Sequence, residues 1–405
     1  MRNVPKLRFK EFTDEWEEKR LGNYLIEFKE KIPYTTNLPK LTSSRKGLLF
    51  QKDYYDNREV KTETEYGLLP RGYFTYRHMS DDLIFKFNIN DLVDNGAISK
   101  EYPVFTTKNF DSRFLYYLLN YGDDFKKFAI EQKQGGTRTR LYFKKLITFS
   151  PKAPILNEQN KIGKFIFNID KRISITEEKL NLFNEYKKGI MHKLFNQELR
   201  FKDENGNDYP EWEEFTLGQI GDTYNGLTGK SADDFGKGKK YITYKNIFDN
   251  TKIDTSILEF VEVKENEKQN KVEYGDIFFT VSSETPDEVG YTSVLLDKIN
   301  EDIYLNSFCF GYRLKSKEDF YPEFFRYVLR SFSFREKIYI LAQGSTRFNL
   351  SKTEVLKIKL NLPCFEEQQK IADFLSAIDT KIEKISDELE NLKEFKKGLL
   401  QQMFV

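Results

Sequence analysis

The chain has 405 residues, of which 39% are hydrophobic and 32% are charged, so it is long enough for two domains that each bury a core. Its 65 basic and 64 acidic side chains leave a net charge of +1, so any surface for nucleic acid must be local rather than global. The two cysteines, Cys309 and Cys364, exclude a disulfide framework and indicate a cytoplasmic protein. The two histidines leave almost no ligands for a structural zinc site, and no apolar run is long enough to span a membrane.

A short motif at the start of the chain recurs near its middle. Leu7-Arg8-Phe9-Lys10 returns at 199–202, and Trp16-Glu17-Glu18 returns at 212–214. Trp16 and Trp212 are the only tryptophans in the chain. Because a large aromatic ring contributes most when it is buried, we expect each tryptophan to pack in the core of its own domain, beside the helix that leaves that domain. A contact with a partner protein is the less favoured alternative.

Two middle segments, about 23–133 and 219–342, are unlike in sequence, and both are predicted to be mixed α/β. Runs of β-branched and aromatic residues predict strands, and apolar residues at helical spacing predict helices. The predicted strands are 73–76, 83–87, 102–106, 276–281 and 308–314, and the predicted helices are 112–127 and 321–340.

A longer repeat follows each middle segment. Residues 134–195 align with 343–404 at a single offset of 209 residues, without a gap. Gln-Gly-Gly-Thr-Arg aligns with Gln-Gly-Ser-Thr-Arg, a Pro-x-x-x-Glu-Gln-x-Lys-Ile run begins at both Pro154 and Pro363, and both copies contain Lys-Lys-Gly. Because chance does not keep one register over about sixty positions, this is an internal repeat.

Each copy of the repeat carries apolar residues at alternating steps of four and three, which is the a/d pattern of a coiled coil, with Lys187 and Lys396 as its charged positions. At about 1.5 Å per residue, each helix would be on the order of 50 Å long. We interpret the helices as one intramolecular coiled-coil pair; the alternative is that each packs separately on a domain. The predicted helix-pair seam comprises Ile162, Ile166, Ile169, Ile173, Leu180, Phe183, Ile190, Ile371, Leu375, Ile378, Ile382, Ile385, Leu389, Leu392 and Leu399.

Positive charge is concentrated in the first Thr-Arg loop and in a few clusters of the middle segments. Residues 133–145 contain five cations and no acid. Hydroxyls bond phosphate oxygens, and arginine can reach a base edge with two hydrogen bonds, whereas the alternative for any single lysine is a solvated surface charge. The candidate DNA-binding residues are Ser44, Arg45, Lys46, Arg71, Arg77, Lys133, Thr137, Arg138, Arg140, Lys230, Lys239, Lys240, Tyr244, Lys245, Asn246, Ser282, Ser283, Thr346 and Arg347.

This order of motifs resembles the DNA-specificity subunit of Type I restriction–modification systems, over essentially the whole chain. One departure follows the Thr-Arg loops, where one copy reads Thr-Arg-Leu at 139–141 and the other Phe-Asn-Leu at 348–350. The resemblance implies an α+β fold, in which two mixed α/β target-recognition domains are joined and separated by two long antiparallel coiled-coil helices in a pseudo-twofold internal repeat. The corresponding boundaries are 1–153 and 198–362 for the recognition domains, and 154–197 and 363–405 for the helices.

The resemblance also implies the function, a non-catalytic DNA-binding subunit in bacterial defence. Two unlike recognition domains would read the halves of an asymmetric, bipartite double-stranded target, held apart by roughly one DNA turn of about 34 Å. Two adenine methyltransferase subunits would dock on the chain and bring S-adenosylmethionine for DNA methylation. A complex that also restricts DNA would add up to two subunits that use ATP and magnesium. This chain itself is expected to bind no cofactor and no metal.

Two other functions stay open from the residues alone. A coiled-coil scaffold or adaptor with two protein-binding domains would explain the helices but not the Thr-Arg loops. A self-contained DNA-modifying enzyme is disfavoured, because the chain has no Pro-Pro dipeptide for an adenine-methyltransferase motif and no Gly-x-Gly-x-x-Gly. Gly229-Lys230-Ser231 is like the end of a phosphate-binding loop, but Tyr224 stands where its first glycine should be.

Overall fold

The structure is a computed structural model that describes residues 4–56, 65–133, 138–344 and 347–404. The chain divides into two compact units, residues 1–178 with 386–405, and residues 179–385. Each unit therefore contains one of the two middle segments and a part of each long helix. Within the described ranges, no helix is long and apolar enough to cross a membrane.

The first unit combines short strands with several short helices and a part of each long helix. Its strands are β1 (Glu17–Glu18), β2 (Leu25–Phe28), β3 (Lys31–Ile32), β4 (Leu41–Ser44), β5 (Gly47–Phe50), β6 (Tyr66–Pro70), β7 (Phe74–Tyr76), β8 (Met79–Ser80), β9 (Phe87–Ile89), β10 (Asn95–Ser99), β11 (Val104–Thr107), β12 (Thr139–Arg140) and β13 (Lys152–Ala153). Its helices are α1 (Gln51–Tyr54), α2 (Ser112–Tyr121), α3 (Asp123–Glu131), α4 (Phe143–Leu146) and α5 (Leu156–Phe195), whose last residues belong to the second unit.

The second unit has a similar sequence of elements. Its strands are β14 (Glu213–Thr216), β15 (Gly221–Asn225), β16 (Phe235–Ile242), β17 (Glu259–Val261), β18 (Ile277–Thr280), β19 (Ser282–Ser283), β20 (Thr292–Val294), β21 (Ile303–Leu305), β22 (Cys309–Leu314), β23 (Phe348–Asn349) and β24 (Lys359–Leu362). Its helices are α6 (Leu217–Ile220), α7 (Tyr244–Asp249), α8 (Pro322–Val328), α9 (Phe332–Leu341), α10 (Lys352–Val355) and α11 (Phe365–Met403), whose last residues belong to the first unit.

One four-stranded antiparallel sheet is common to both units. Its strand order is β2-β11-β7-β9 in the first unit and β15-β22-β18-β20 in the second. In the first unit Phe74 stacks on Phe105 across two neighbouring strands, with ring centroids 4.9 Å apart, and in the second unit Phe279 stacks on Phe310 at the same 4.9 Å. All four rings are fully buried. The two middle segments, although unlike in sequence, are therefore built on the same core sheet.

A second sheet differs between the units. In the first unit it has the order β10-β6-β3 and is antiparallel throughout. In the second unit it has the order β17-β16-β21, and β16 pairs in parallel with β21. A register shift between Phe235 and Lys239 also interrupts β16. Such an irregularity bends a strand and changes which side chains it presents.

The strand predictions are confirmed for four of the five segments, which correspond to β7, β11, β18 and β22. The strand predicted at 83–87 is wrong over most of its length, because β9 begins only at Phe87. Leu83 has a φ of 68°, in the left-handed region that an extended strand cannot contain.

The helix predicted at 112–127 is in fact two helices, α2 and α3, separated by Gly122. This glycine is extended, with a ψ of 132°, and a Cβ there would lie 2.6 Å from the carbonyl oxygen of Leu118. The helix predicted at 321–340 is likewise divided into α8 and α9. The hydroxyl of Ser331 accepts a hydrogen bond from the backbone N–H of Phe334 and so starts α9 as its N-cap.

Trp16 is buried in the first unit and bonds to the start of α5, as the sequence predicts. It is 2% exposed, and its indole N–H donates to Glu158, whose side chain is fully buried. Arg8 donates to both oxygens of the same carboxylate, at 2.7 Å each. Glu158 also raises the pKa of Arg8 through this bond. The Arg-Glu-Trp cluster ties the beginning of the chain to the first turn of the long helix.

The second unit repeats the Arg-Glu-Trp cluster with a small change. The indole N–H of Trp212 donates to Glu367 at 3.1 Å, and Arg200 donates to both oxygens of Glu367 at 3.3 and 2.8 Å. Arg200 also donates to the carbonyl oxygens of Tyr209 and Pro210. Its guanidinium therefore has acceptors besides the carboxylate, whereas Arg8 has no further acceptor among the residues that the structure describes.

The residues of the predicted helix-pair seam are all buried or half-buried. In the first unit Ile162, Ile166, Ile169, Leu389 and Leu399 are buried, and Ile173 and Leu392 are half-buried. In the second unit Ile371, Leu375, Ile378 and Ile385 are buried, and Leu180, Phe183, Ile190 and Ile382 are half-buried. The early positions of each helix join the hydrophobic core of their own unit rather than only the other helix.

The charged seam position of the first unit is neutralised within that unit. The amino group of Lys396 lies 2.6 Å from a carboxylate oxygen of Asp170, on the other long helix. The other oxygen of Asp170 accepts a hydrogen bond from the hydroxyl of Tyr117 on α2, at 2.7 Å. The charge of Lys396 in the seam is therefore balanced by Asp170, which is itself bonded to the hydroxyl of Tyr117.

The second unit has the same arrangement with one more cation. Lys187 lies 2.5 Å from Asp379, whose other oxygen accepts from the hydroxyl of Tyr327 at 3.0 Å. Arg326 also pairs with Asp379, at 2.9 Å. Nearer to the middle of α5, the ring of Phe183 lies 4.8 Å from the amino group of Lys381. As residue numbers rise along α5 in this unit, those of the contacting residues on α11 fall.

Candidate nucleic-acid interface

A two-residue strand follows each Thr-Arg motif and forms an antiparallel pair within its own unit. In the first unit β12 pairs with β8, so that Thr139 lies opposite Ser80. In the second unit β23 pairs with β19, so that Phe348 lies opposite Ser283. Thr139 and Phe348 are related by the offset of 209 residues, so Ser80 and Ser283 occupy equivalent places. This equivalence defines a comparable site in each unit.

In the first unit the site brings together two predicted arginines that are far apart in the chain. Arg138 donates to Asp81 at 2.9 Å, and Arg45, in the turn between β4 and β5, donates to Asp82 at 2.6 Å. The hydroxyl of Ser80 donates to the same oxygen of Asp82 at 2.8 Å. This hydroxyl bond is the main reason why the pKa of Asp82 lies below its usual value, with Arg45 acting in the same direction.

Two further predicted arginines, Arg77 and Arg140, lie next to the buried His78. Both are exposed, and neither pairs with an acid among the described residues. Burial lowers the pKa of His78, and the charges of Arg140 and Arg77 act in the same direction. The imidazole ring stacks on Tyr142, with centroids 5.3 Å apart. The two guanidinium groups are therefore free to meet a negatively charged ligand.

In the second unit the site is an open groove of about 370 Å³, which we call the Arg347 groove. It contains four of the predicted residues, Tyr244, Ser282, Ser283 and Arg347. Its lining consists of Tyr244, Phe248, Ser282, Ser283, Glu284, Glu288, Phe308 and Arg347. The structure therefore brings α7, β19 and the second Thr-Arg loop to one place.

Hydrogen bonds fix the polar groups of the Arg347 groove. The hydroxyl of Tyr244 donates to the carbonyl oxygen of Ser282 at 2.9 Å, and the pKa of Tyr244 is raised chiefly by burial. The hydroxyl of Ser283 donates to Glu288 at 2.8 Å. Arg347 is exposed and forms no ion pair within the described ranges. The groove thus contains the guanidinium of Arg347, which has no acidic partner within those ranges, and the carboxylate of Glu288, which is bonded to Ser283.

Three important residues around this groove were not predicted. Glu288 and Phe308 line it, and Phe308 is 60% exposed. Arg335 lies behind it on α9 and donates to the carbonyl oxygens of three residues in the loop before β20, residues 287, 289 and 290. Its guanidinium also lies 4.5 Å from the ring of Tyr291. No motif marks these residues, although the sequence has a serine-acid dipeptide at the end of both β8 and β19, Ser80-Asp81 and Ser283-Glu284.

Several predicted residues of the second unit lie outside the groove. The side chain of Lys230 is 4% exposed and pairs with Glu267, and Lys240 pairs with Glu301 at 2.8 Å. Asn246 is 1% exposed, and its side chain bonds to the backbone of residue 254 as both donor and acceptor. These three side chains are occupied by the protein itself. Lys239 and Lys245 are exposed.

The remaining predictions concern the first unit and the loops. Ser44 donates to the carbonyl oxygen of Gly47 within the β4–β5 turn. Lys46, in the same turn, is exposed. Arg71 pairs with Asp94 at 2.8 Å, in a different turn. Lys133 is exposed, and the predicted Thr137 and Thr346 lie outside the described residues. Among the described residues, no three His, Cys, Asp or Glu side chains come together as a group that could hold a metal ion.

The fold and these sites define a duplicated protein of mixed α/β units, with one candidate nucleic-acid interface in each unit. A family model described as the Type I restriction modification DNA specificity domain matches the chain twice, over residues 17–184 and 209–394. The chain therefore belongs to the family of Type I restriction–modification DNA specificity proteins. The two matches correspond to the two halves of the internal repeat.

Two relatives and one solved structure are similar to most of this chain. A candidate type I restriction enzyme specificity subunit from Methanocaldococcus jannaschii, MjaX, is 25% identical over 98% of this chain and 95% of that protein. The MjaVIII specificity subunit from the same organism is 27% identical over 75% of this chain and 72% of that protein. The crystal structure of a Type-I restriction-modification system S subunit from M. genitalium matches 99% of both chains with a TM-score of 0.59 at 17% identity. That likeness shows a shared fold.

Proposed function

We propose that this chain is the DNA-recognition subunit of a Type I restriction–modification complex and reads an asymmetric bipartite target, one half-site per unit. The observation that carries the proposal is a pair of unlike sites at equivalent places of a duplicated frame. Arg138 and Arg347 are related by the repeat, but Arg138 faces acids whereas Arg347 lines an open groove. Two identical readers would favour a palindrome, and unlike readers favour an asymmetric target.

In the first unit we assign base contacts to Arg45 and Arg138, because arginine can bond two acceptors of a guanine edge. Arg77 and Arg140, which are exposed and unpaired among the described residues, would contact phosphates. In the second unit the base contacts would come from the Arg347 groove. Lys239 and Lys245, which are exposed outside the groove, would contact phosphates. Lys230, Lys240 and Asn246 are left out of the proposed interface because the protein itself occupies them.

We also propose that α5 and α11 form an antiparallel coiled-coil pair that sets the spacer between the half-sites. The buried seam and the Lys396–Asp170 and Lys187–Asp379 pairs support this pairing. Inserting one heptad after Glu178 and one after Ile385 would lengthen both helices together by about 10 Å. At about 3.4 Å per base pair, the unread spacer should grow by roughly three base pairs. An unchanged spacer would contradict the proposed role of the helices.

The proposal includes partners, because family members are named as subunits of restriction enzymes. Two adenine-methyltransferase subunits would bind this chain, and restriction subunits would join a complete complex. The chain itself would be non-catalytic. Incubating the purified chain alone with DNA and radiolabelled S-adenosylmethionine should transfer no label. Transfer by the chain alone would make it an enzyme.

The central test is an exchange of one recognition segment. Residues 219–342 are replaced by the equivalent segment of another family member, and the methylated motif is sequenced in cells that carry the hybrid and the methyltransferase. One half of the target should change while the other half and the spacer stay the same. A change in both halves, or in neither, would overturn the division of labour between the units. A matched hybrid of residues 23–133 should change the opposite half.

A further inference from the structure

The carboxylate of Glu288 has an unusual place for an acid in a proposed DNA interface. It is half-buried in the lining of the Arg347 groove, and one of its oxygens accepts the hydroxyl hydrogen of Ser283 at 2.8 Å. Within the described ranges it pairs with no lysine or arginine. Its charge is therefore not balanced by a cation of that part of the chain.

The first unit shows what a structural carboxylate looks like at the equivalent place. There the equivalent serine, Ser80, also donates to an acid, Asp82, but Asp82 is in addition paired with Arg45 at 2.6 Å. Asp82 thus holds a protein cation. Glu288 has the same serine support without the cation, so its remaining acceptor capacity is available to a ligand.

A carboxylate can meet only a few groups of DNA favourably. Phosphates repel it, and the keto oxygens of guanine and thymine are acceptors like itself. The exocyclic amino groups of cytosine and adenine are donors in the major groove, and Glu or Asp side chains accept hydrogen bonds from such amino groups. An unpaired carboxylate beside a free guanidinium therefore suits a base edge rather than a backbone.

We propose that Glu288 is a specificity-determining residue, which accepts a hydrogen bond from the amino group of adenine or cytosine in the half-site that the second unit reads. This inference rests on the proposed DNA-recognition function. On the strand that Glu288 contacts, the position would admit an amino base and reject guanine and thymine. Arg347, in the same groove, would supply the complementary donor to a keto-bearing base.

The surroundings of Glu288 support a fixed orientation. Arg335 donates to the carbonyl oxygens on both sides of Glu288, those of Asp287 and Val289, at 2.8 and 2.7 Å. Val289 is fully buried. Arg335 thus fixes the backbone on both sides of Glu288, and the hydroxyl of Ser283 fixes its carboxylate. A reader of base edges needs such a fixed geometry, because a misplaced acceptor does not discriminate.

The test is the variant Glu288→Gln, which keeps the size of the side chain and can still bond Ser283. A glutamine amide both accepts from amino groups and donates to keto groups, so it should lose the discrimination. In sequenced methylation patterns, one position of the second-unit half-site should change from amino bases only to amino and keto bases. With duplexes that differ at that position, preference should fall from about ten- to a hundred-fold to near unity.

Glu265→Gln is the matched control, because Glu265 is exposed in the same unit and does not line the groove. It removes the same charge and should leave the motif unchanged. An unchanged motif in Glu288→Gln, admission of the other amino base alone, or loss of methylation with the fold retained would each overturn the assignment of Glu288. If the unaltered chain directs no sequence-specific methylation with its partner, the proposed function itself fails, which is a different outcome.

Discussion

The two units share a common structural framework but carry different sites at their Thr-Arg loops. Both contain the antiparallel sheet with its stacked phenylalanines, the Arg-Glu-Trp cluster and the acid that receives a lysine from the opposite long helix. Their second sheets differ in strand direction, and so do the sites at the Thr-Arg loops. In the first unit Arg138 is paired with an acid, and in the second unit Arg347 has no acidic partner among the residues that the structure describes.

The difference shows which parts of the duplication are constrained. Groups buried in the frame need partners, because a buried charge or indole N–H without one costs free energy. The same partners therefore recur in both units. Groups at the loop surface can be paired or unpaired at little cost in stability. The two loop surfaces can therefore differ while the fold stays the same.

The largest expected contrast concerns the two buried glutamates of the Arg-Glu-Trp clusters. Glu158→Gln should lower the free energy of unfolding of the first unit by about 3 kcal/mol, because it leaves Arg8 without a counter-charge. Glu367→Gln should cost the second unit only about 2 kcal/mol, because Arg200 keeps the carbonyl acceptors of Tyr209 and Pro210.

Urea unfolding followed by tryptophan fluorescence can separate these two effects. Each unit contains one tryptophan, so a Trp212→Phe background reports the first unit and a Trp16→Phe background the second. Each glutamate variant is compared with its own background. Equal losses in the two units would mean that the carbonyl contacts of Arg200 contribute nothing.

The next contrast concerns DNA binding by the two repeat-related arginines. Arg347→Ala should weaken discrimination at one base of one half-site by about 2 kcal/mol. Arg138→Ala should cost only about 1 kcal/mol at the other half-site, because Arg138 must first give up its exposed ion pair with Asp81. Competition binding with single-base variants of the target measures both. If both substitutions affect the same half-site, the assignment of one half-site per unit is wrong.

Periodicity and repetition predicted the scaffold from the sequence. The seam pattern indicated two long helices, and α5 and α11 contain every residue of the predicted seam, since apolar periodicity is a local property of the chain. The shared sheet was not predicted, because its strands lie between loops of unequal length. One signal was present: Phe74 and Phe105 are 31 residues apart, as are Phe279 and Phe310.

The sites were predicted only in part, because residue type does not reveal burial. Arg45, Arg138 and Arg347 have chemistry that suits DNA, and the structure places them at the two sites. Asn246 has equally suitable chemistry, but both the nitrogen and the oxygen of its side-chain amide form hydrogen bonds within the protein. Glu288 was missed because acidic residues are not expected to bind DNA and because its partner, Ser283, identifies it only in the folded chain.

A smaller contrast is expected at the charged seam positions. Lys396→Met should destabilise the first unit by about 1 kcal/mol, because Asp170 keeps only the hydroxyl of Tyr117 as a partner. Lys187→Met should cost the second unit about half as much, because Arg326 still neutralises Asp379. Unit-specific fluorescence in urea measures both changes. A larger loss for Lys187→Met would show that Arg326 does not compensate.

The smallest expected difference between the units is a pH dependence of stability that His78 gives to the first unit only. Burial holds the pKa of His78 below its ordinary value, so the unfolded chain takes up a proton more readily than the folded one as pH falls below about 6.5. Stability that is present above this pH is therefore lost on acidification. The equivalent residue in the second unit is Val281, because Leu141 donates to the carbonyl oxygen of His78 as Leu350 does to that of Val281.

The variant His78→Val gives the first unit the residue type that the second unit has at the equivalent position, Val281. The urea midpoint of the first unit should then fall less than in the unaltered chain when pH is lowered from about 7.5 to about 5.5, because one site of preferential proton uptake by the unfolded state is gone. The second unit, measured through Trp212, should respond to acid equally in both proteins. An identical acid response of the first unit with and without His78 would mean that this imidazole titrates alike in the folded and unfolded chains.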